Sequence, residues 1–135
     1  MGSTPYLLTI CFLVALLNAC AFDLVHIKQI PAQIESGTLS KPPFELEKAV
    51  DVNLDTGYRR TLKQGTKWNY VGTMQYGDVF KTSDQILTVE GSNIHEAYIV
   101  VSSGKLVGFY LPVLKSYSPL SETKDLNFKK STLNP

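Results

Sequence analysis

His95 and Glu96 are adjacent and supply the first two letters of the zinc pattern H-E-x-x-H. The second histidine would fall at position 99, which is Ile99, and the only other histidine is His26. Zinc takes three or four protein ligands, so neither a metal nor another cofactor is expected. Glu90 and Glu96 are the candidate carboxylate pair for a small hydrolase, with His95 beside them. Neither G-x-S-x-G nor a phosphate loop occurs. Arg60 is the remaining candidate. Strand alternation places it on an apolar face, where an arginine must find a partner. Two readings follow: an ion pair with Glu90 or Glu96 inside the fold, or a clamp for an anion or carboxylate in a cleft. Trp68, Tyr70, Tyr98, Phe109 and Tyr110 are core residues or the lining of a ligand groove.

The elements that must hold these groups are strands. Val50, Val52 and Leu54 alternate with Asp51 and Asn53, a period of two. Asp55-Thr56-Gly57 is a turn with glycine where positive φ is cheap. The chain then returns through Tyr58 to Lys63, so that Leu54 faces Tyr58, Val52 faces Arg60 and Val50 faces Leu62. Gln85–Glu90, Ile94–Val101 and Lys105–Leu111 are predicted as a three-stranded antiparallel meander, with Glu90 and Glu96 on one face. In that register Tyr98 lies opposite Phe109. Ile99–Val101 and Leu106–Phe109 are apolar on both faces. Either neighbouring strands cover both sides, or Val100, Val101, Val107 and Phe109 form a contact surface.

The fold class is all-β: a small antiparallel barrel or sandwich, with an SH3-like barrel as the first choice. Residues 49–114 are the predicted β domain. Residues 20–48 read as an irregular tether, because Pro31, Gly37, Pro42 and Pro43 punctuate them. Residues 115–135 carry Lys, Ser, Thr and Asn with few large apolar groups and read as a flexible tail.

The chain has 135 residues, 13 Lys+Arg against 12 Asp+Glu, and no charged side chain before Asp23. The near-neutral balance carries no electrostatic footprint for nucleic acid. Residues 6–17 are an apolar run of h-region length, too short for a typical spanning helix. The run meets Leu17-Asn18-Ala19-Cys20. This resembles the lipobox of bacterial lipoprotein precursors. The resemblance covers residues 1–20 only. It implies removal of residues 1–19, acyl chains on Cys20, and attachment to a membrane of the bacterial envelope. Ala21 in place of Asp after the cysteine implies the outer membrane, facing the periplasm, where the host has two membranes. Two other readings stay open: Ala19-Cys20-Ala21 also fits an A-x-A cleavage site, releasing a chain that starts at Phe22, and residues 5–22 could remain as an uncleaved anchor. Under the lipoprotein reading the mature chain has no free thiol, since Cys11 and Cys20 are the only cysteines.

Two functions are therefore expected from these residues. The first is a membrane-anchored, non-catalytic binding or assembly-helper module whose partner is an envelope protein or cell-wall component. The alternative is a small envelope hydrolase using Glu90 and Glu96 with His95.

Overall fold

Leu54 and Tyr58 close the first hairpin, through a 2.8 Å bond from Leu54 N–H to the Tyr58 carbonyl. Gly57 adopts φ +82° and its N–H bonds to the Leu54 carbonyl, a turn that a β-carbon would strain. In the computed structural model, which describes residues 27–37, 40–83, 85–91 and 93–130, this hairpin is β3 (Val50–Asn53) paired with β4 (Arg59–Leu62). Its register is the one that alternation dictates: Val50 opposite Leu62 and Val52 opposite Arg60. Residues 1–19, expected to be a signal segment, and Cys20 lie outside the described residues.

A second local hairpin joins β7 (Thr88–Glu90) to β8 (Ile94–Glu96), with Glu90 opposite Ile94 and Thr88 opposite Glu96. Glu90 and Glu96 share a face, as expected. The strand does not run on as the meander reading required. It breaks at Ala97, whose N–H bonds the Leu87 carbonyl, and resumes as β9 (Tyr98–Ser102) in another sheet. Ala97 is buried, so the bend is anchored in the core.

The remaining strands are β1 (Ile30–Pro31), β2 (Phe44–Leu46), β5 (Lys67–Met74), β6 (Gly77–Thr82), β10 (Lys105–Leu111), β11 (Ser116–Asp125) and β12 (Phe128–Lys130). With β9 they form one antiparallel sheet of eight strands in the order β1-β11-β10-β9-β6-β5-β2-β12. None of the described residues is helical, so among them no helix is long and apolar enough to cross a membrane.

The all-β antiparallel class is as expected, and among the described residues the large sheet is not closed, because its ladder has two free ends, β1 and β12. The sheet nevertheless curls strongly. Leu126 and Asn127 alone connect β11 to β12, and so few residues reach only about 10 Å. One edge strand is thus tied covalently to a strand near the opposite edge. Inside the curl lies the main core, which includes Leu46, Trp68, Phe80, Ile99, Leu106, Phe109 and Leu111. The hairpin residues Val50, Val52, Leu62 and Val89 belong to the same cluster, so both small sheets close over it.

The outer face of β9 and β10 has its own core of Met74, Val79, Val100, Tyr110 and Tyr117, with Ile30, Ala32 and Ile34 packed against it. Residues 27–37 are therefore no mere tether: β1 pairs with β11, and Glu35 pairs with Thr73. Nor are residues 116–130 a flexible tail, since β11 pairs with β10 and β12 with β2. These two segments cover what the middle of the chain left uncovered. As a result Val100 and Phe109 are 0% exposed, Val101 is buried and Val107 half-buried, which overturns their reading as a contact surface.

Candidate functional site

Alternation in the β3–β4 ladder decides which backbone groups of β4 are spoken for. The Leu54–Tyr58 pair is hydrogen-bonded, so Val52–Arg60 and Val50–Leu62 are the next bonded pairs. The N–H and C=O groups of Arg59 and Thr61 then project from the opposite edge of β4. Among the described residues that edge has no strand beside it, because the small sheet contains only β3 and β4.

A cleft of about 320 Å³ runs along this edge. One wall consists of the consecutive residues Arg59, Arg60, Thr61, Leu62 and Lys63. A cleft against a sheet face would be lined by alternate residues. A consecutive run indicates that the strand edge itself is the wall. The other wall comes from Thr66, Trp68, Thr82, Gln85 and Leu87. Trp68 on β5 lies opposite Thr82 on β6, and its ring stacks on Phe44 at 6.5 Å between centroids.

The polar groups of this cleft are unevenly satisfied. Thr66 Oγ1 donates to the Lys63 carbonyl at 2.7 Å, and Thr82 Oγ1 donates to the Gln85 carbonyl. Trp68 is 1% exposed, yet its Nε1–H has no acceptor among the described residues. A buried donor left unmatched costs about 1–3 kcal/mol, so such groups are uncommon in native proteins. The charges are equally one-sided. Arg59, Arg60 and Lys63 line the cleft, and none of its described lining residues is acidic.

Among the described residues, the ion pairs are Lys41–Asp78, Lys105–Asp125 at 3.3 Å and Lys124–Glu122 at 3.1 Å. Arg60 forms none with Glu90 or Glu96, which corrects the intramolecular pair expected from the sequence. Arg60 and Trp68 do meet, in one cleft. Glu90, Glu96 and His95 do not line it. Glu96 and His95 also point to opposite faces of β8, as neighbours on a strand must.

The aromatic groove is corrected as well. Phe109 is in the main core, and Tyr70 packs on that core with its ring 5.7 Å from Phe80. Tyr98 lies opposite Tyr110 rather than Phe109, with their ring centroids 6.3 Å apart in the outer core. Arg59, Lys63, Thr66, Thr82, Gln85 and Leu87 were not singled out from the sequence. Three cations within residues 59–63 were the available signal. Alternation between sheet faces does not reveal it, because the cleft follows a strand edge.

A second cleft, about 290 Å³, lies between Phe44, Phe80, Val101 and Phe128. It is largely apolar and includes the acidic Asp78, which is paired with Lys41; its other cation, Lys130, has no ion pair among the described residues. The Arg60 cleft is the stronger candidate because it gathers three cations with no acidic residue among its described lining, whereas the second cleft contains Asp78.

Comparison of the chain with protein-family models, with curated proteins and with solved structures finds no match.

Proposed function

We propose that this protein is a membrane-tethered, non-catalytic binding module of a bacterial envelope, and that the Arg60 cleft is its recognition site for an anionic group on an envelope partner. The observation that carries the reading is the gathering of Arg59, Arg60 and Lys63, with no acidic residue among the described lining, beside Trp68, whose buried Nε1–H has no acceptor among the described residues. Charge-assisted hydrogen bonds from guanidinium to carboxylate or phosphate are about twice as strong as neutral ones, so a carboxylate or phosphate suits this lining. The tether is acyl chains on Cys20, supported by Leu17-Asn18-Ala19-Cys20 after an apolar run. Two or three chains anchor stably, since each buried methylene contributes about 0.8 kcal/mol. Ala21 favours the outer membrane where the host has one.

Two measurements test the two halves separately. Metabolic acyl labelling should mark the wild type and leave Cys20→Ser unmarked and released from the membrane; equal labelling removes the tether. Photocrosslinking in intact cells from a probe at Thr61 should capture an envelope component, and Arg60→Gln should lower the yield several-fold. An unchanged yield removes the cleft.

A further inference from the structure

We infer that the occupant of the Arg60 cleft is an acidic, extended peptide segment that adds as a further strand to the free edge of β4; this rests on the proposed binding cleft and deepens it. Three observations converge. First, β4 presents a row of unused backbone groups. The Arg59 and Thr61 N–H and C=O groups point away from β3, and no described residue bonds to them. The Lys63 carbonyl is taken by Thr66, so the free row begins at Arg59 and ends at the Lys63 N–H. Over residues 59–63 the edge is about 13 Å long, enough for a short strand.

Second, the space beside that edge is open. The cleft borders every residue from Arg59 to Lys63, and its far wall is set back across Trp68, Thr82 and Leu87. Unpaired strand edges are templates for another chain, and folded proteins cover or blunt them. Here nothing among the described residues covers it. Recognition by strand addition draws affinity from main-chain hydrogen bonds and specificity from pockets for alternate side chains.

Third, the charge selects the added strand. Arg59 and Lys63 lie on the outer face of β4 and Arg60 on the inner face, beside the buried Leu62. Opposite charges directly across a strand pair stabilise it and like charges destabilise it. A segment with glutamate or aspartate at alternate positions would meet Arg59 and Lys63 on one face. Its intervening side chains would face Arg60 and the Leu62–Trp68–Leu87 floor. A basic segment would be rejected on both faces. The same cations blunt the edge against self-association, because two copies of β4 would oppose arginine to arginine.

The test uses the full chain in detergent and four capped octapeptides: alternating Glu and Val, its Gln and Val counterpart, and two versions of the first with N-methyl groups on the Glu amides only or on the Val amides only. The Glu–Val peptide should bind and the Gln–Val peptide at least tenfold more weakly. Only one edge of an added strand faces β4, so one N-methyl pattern should lose at least tenfold and the other should retain parental affinity. Amide hydrogen exchange should slow on binding at Arg59, Thr61 and Lys63, and stay unchanged at Arg60 and Leu62, already bonded to β3. Arg59→Gln and Lys63→Gln, both at exposed positions, should each weaken binding several-fold. If both N-methyl patterns behave alike, or the edge amides do not slow, strand addition is wrong while an anion cleft survives. If the charged and uncharged peptides bind equally, or neither variant weakens binding, the cleft reading itself is overturned. No binding of the Glu–Val peptide at millimolar concentration overturns the inference.

Discussion

The Tyr117 hydroxyl donates a 3.0 Å hydrogen bond to the main-chain carbonyl of Val107. Val107 is the residue skipped in both ladders of β10: Leu106 pairs with Val101 and Lys124, and Gly108 with Val100 and Pro119. A bulged residue loses its place in the ladder, and the tyrosine satisfies the carbonyl that the ladder leaves behind. The bulge also changes parity. Leu106 and Phe109 both reach the main core, while Val107 and Tyr110 both face the outer one. This is why Tyr110, and not Phe109, lies opposite Tyr98.

Tyr117→Phe should therefore destabilise the protein by about 1–2 kcal/mol, the loss of a part-buried hydrogen bond that leaves its acceptor unmatched. Its ring stacks on Tyr76 at 4.2 Å, and the phenylalanine keeps that packing. Urea denaturation with an unchanged slope and a lowered midpoint is the expected result. A midpoint equal to wild type would mean that the bulge does not depend on this bond.

Gly108→Ala should cost more, about 1–3 kcal/mol or above. A β-carbon there would lie 2.5 Å from the Ser118 carbonyl oxygen and 2.5 Å from the Tyr117 ring. Backbone and an immobilised ring cannot both yield cheaply. Thermal unfolding compares it with Gly104→Ala, where no heavy atom lies within 4 Å but φ is +74°, so that strain alone is measured.

Stability should fall in alkali for a stated reason. Burial, reinforced by the Tyr76 hydroxyl, raises the Tyr117 pKa above its ordinary 10.0, and burial, reinforced by Tyr98, raises that of Tyr110. The folded chain then holds these protons to higher pH than the unfolded chain does. Their contribution is complete below the ordinary tyrosine value and is lost as pH rises through the raised one. Denaturation midpoints measured from pH 8 to 11 should decline only in the upper part of that range, about pH 10 and above, and Tyr117→Phe should flatten the decline.

Trp68→Phe removes the indole N–H that has no acceptor, along with part of a buried ring. The relieved donor, about 1–3 kcal/mol, offsets the lost packing. The variant should stay within about 2 kcal/mol of wild type, whereas Trp68→Ala should lose about 3–5 kcal/mol. Calorimetry of the two variants checks this contrast.

Truncation separates the last two strands. Ending the chain after Leu126 removes β12 and the Phe128 ring, which lies 4.4 Å from Phe44 at the rim. About 1–2 kcal/mol should be lost with the fold retained, because Phe128 is already 41% exposed. Ending it after Lys115 also removes the buried Tyr117, Leu120 and Leu126, and uncovers β10. That chain should not fold, as read by circular dichroism and protease resistance.

What could be read from the sequence by itself was local. Val50 to Leu62 and Val89 to His95 took the expected registers, because alternation and a short turn jointly specify a hairpin. The all-β class followed from the same periodicity. The tertiary structure decided everything that joins distant strands: β6 against β9, β12 against β2, and β11 between β1 and β10. Ser116, Tyr117 and Ser118 read as tail because serine is ordinarily a surface residue, yet all three are buried in the sheet. The break at Ala97 and the bulge at Val107 carry no periodic signal, and a one-residue slip moves every later side chain to the other face. For the candidate cleft, Arg60 was visible as an arginine on an apolar face. Its meeting with Trp68 at an unpaired edge was not, because edges exist only once all strands have chosen their neighbours.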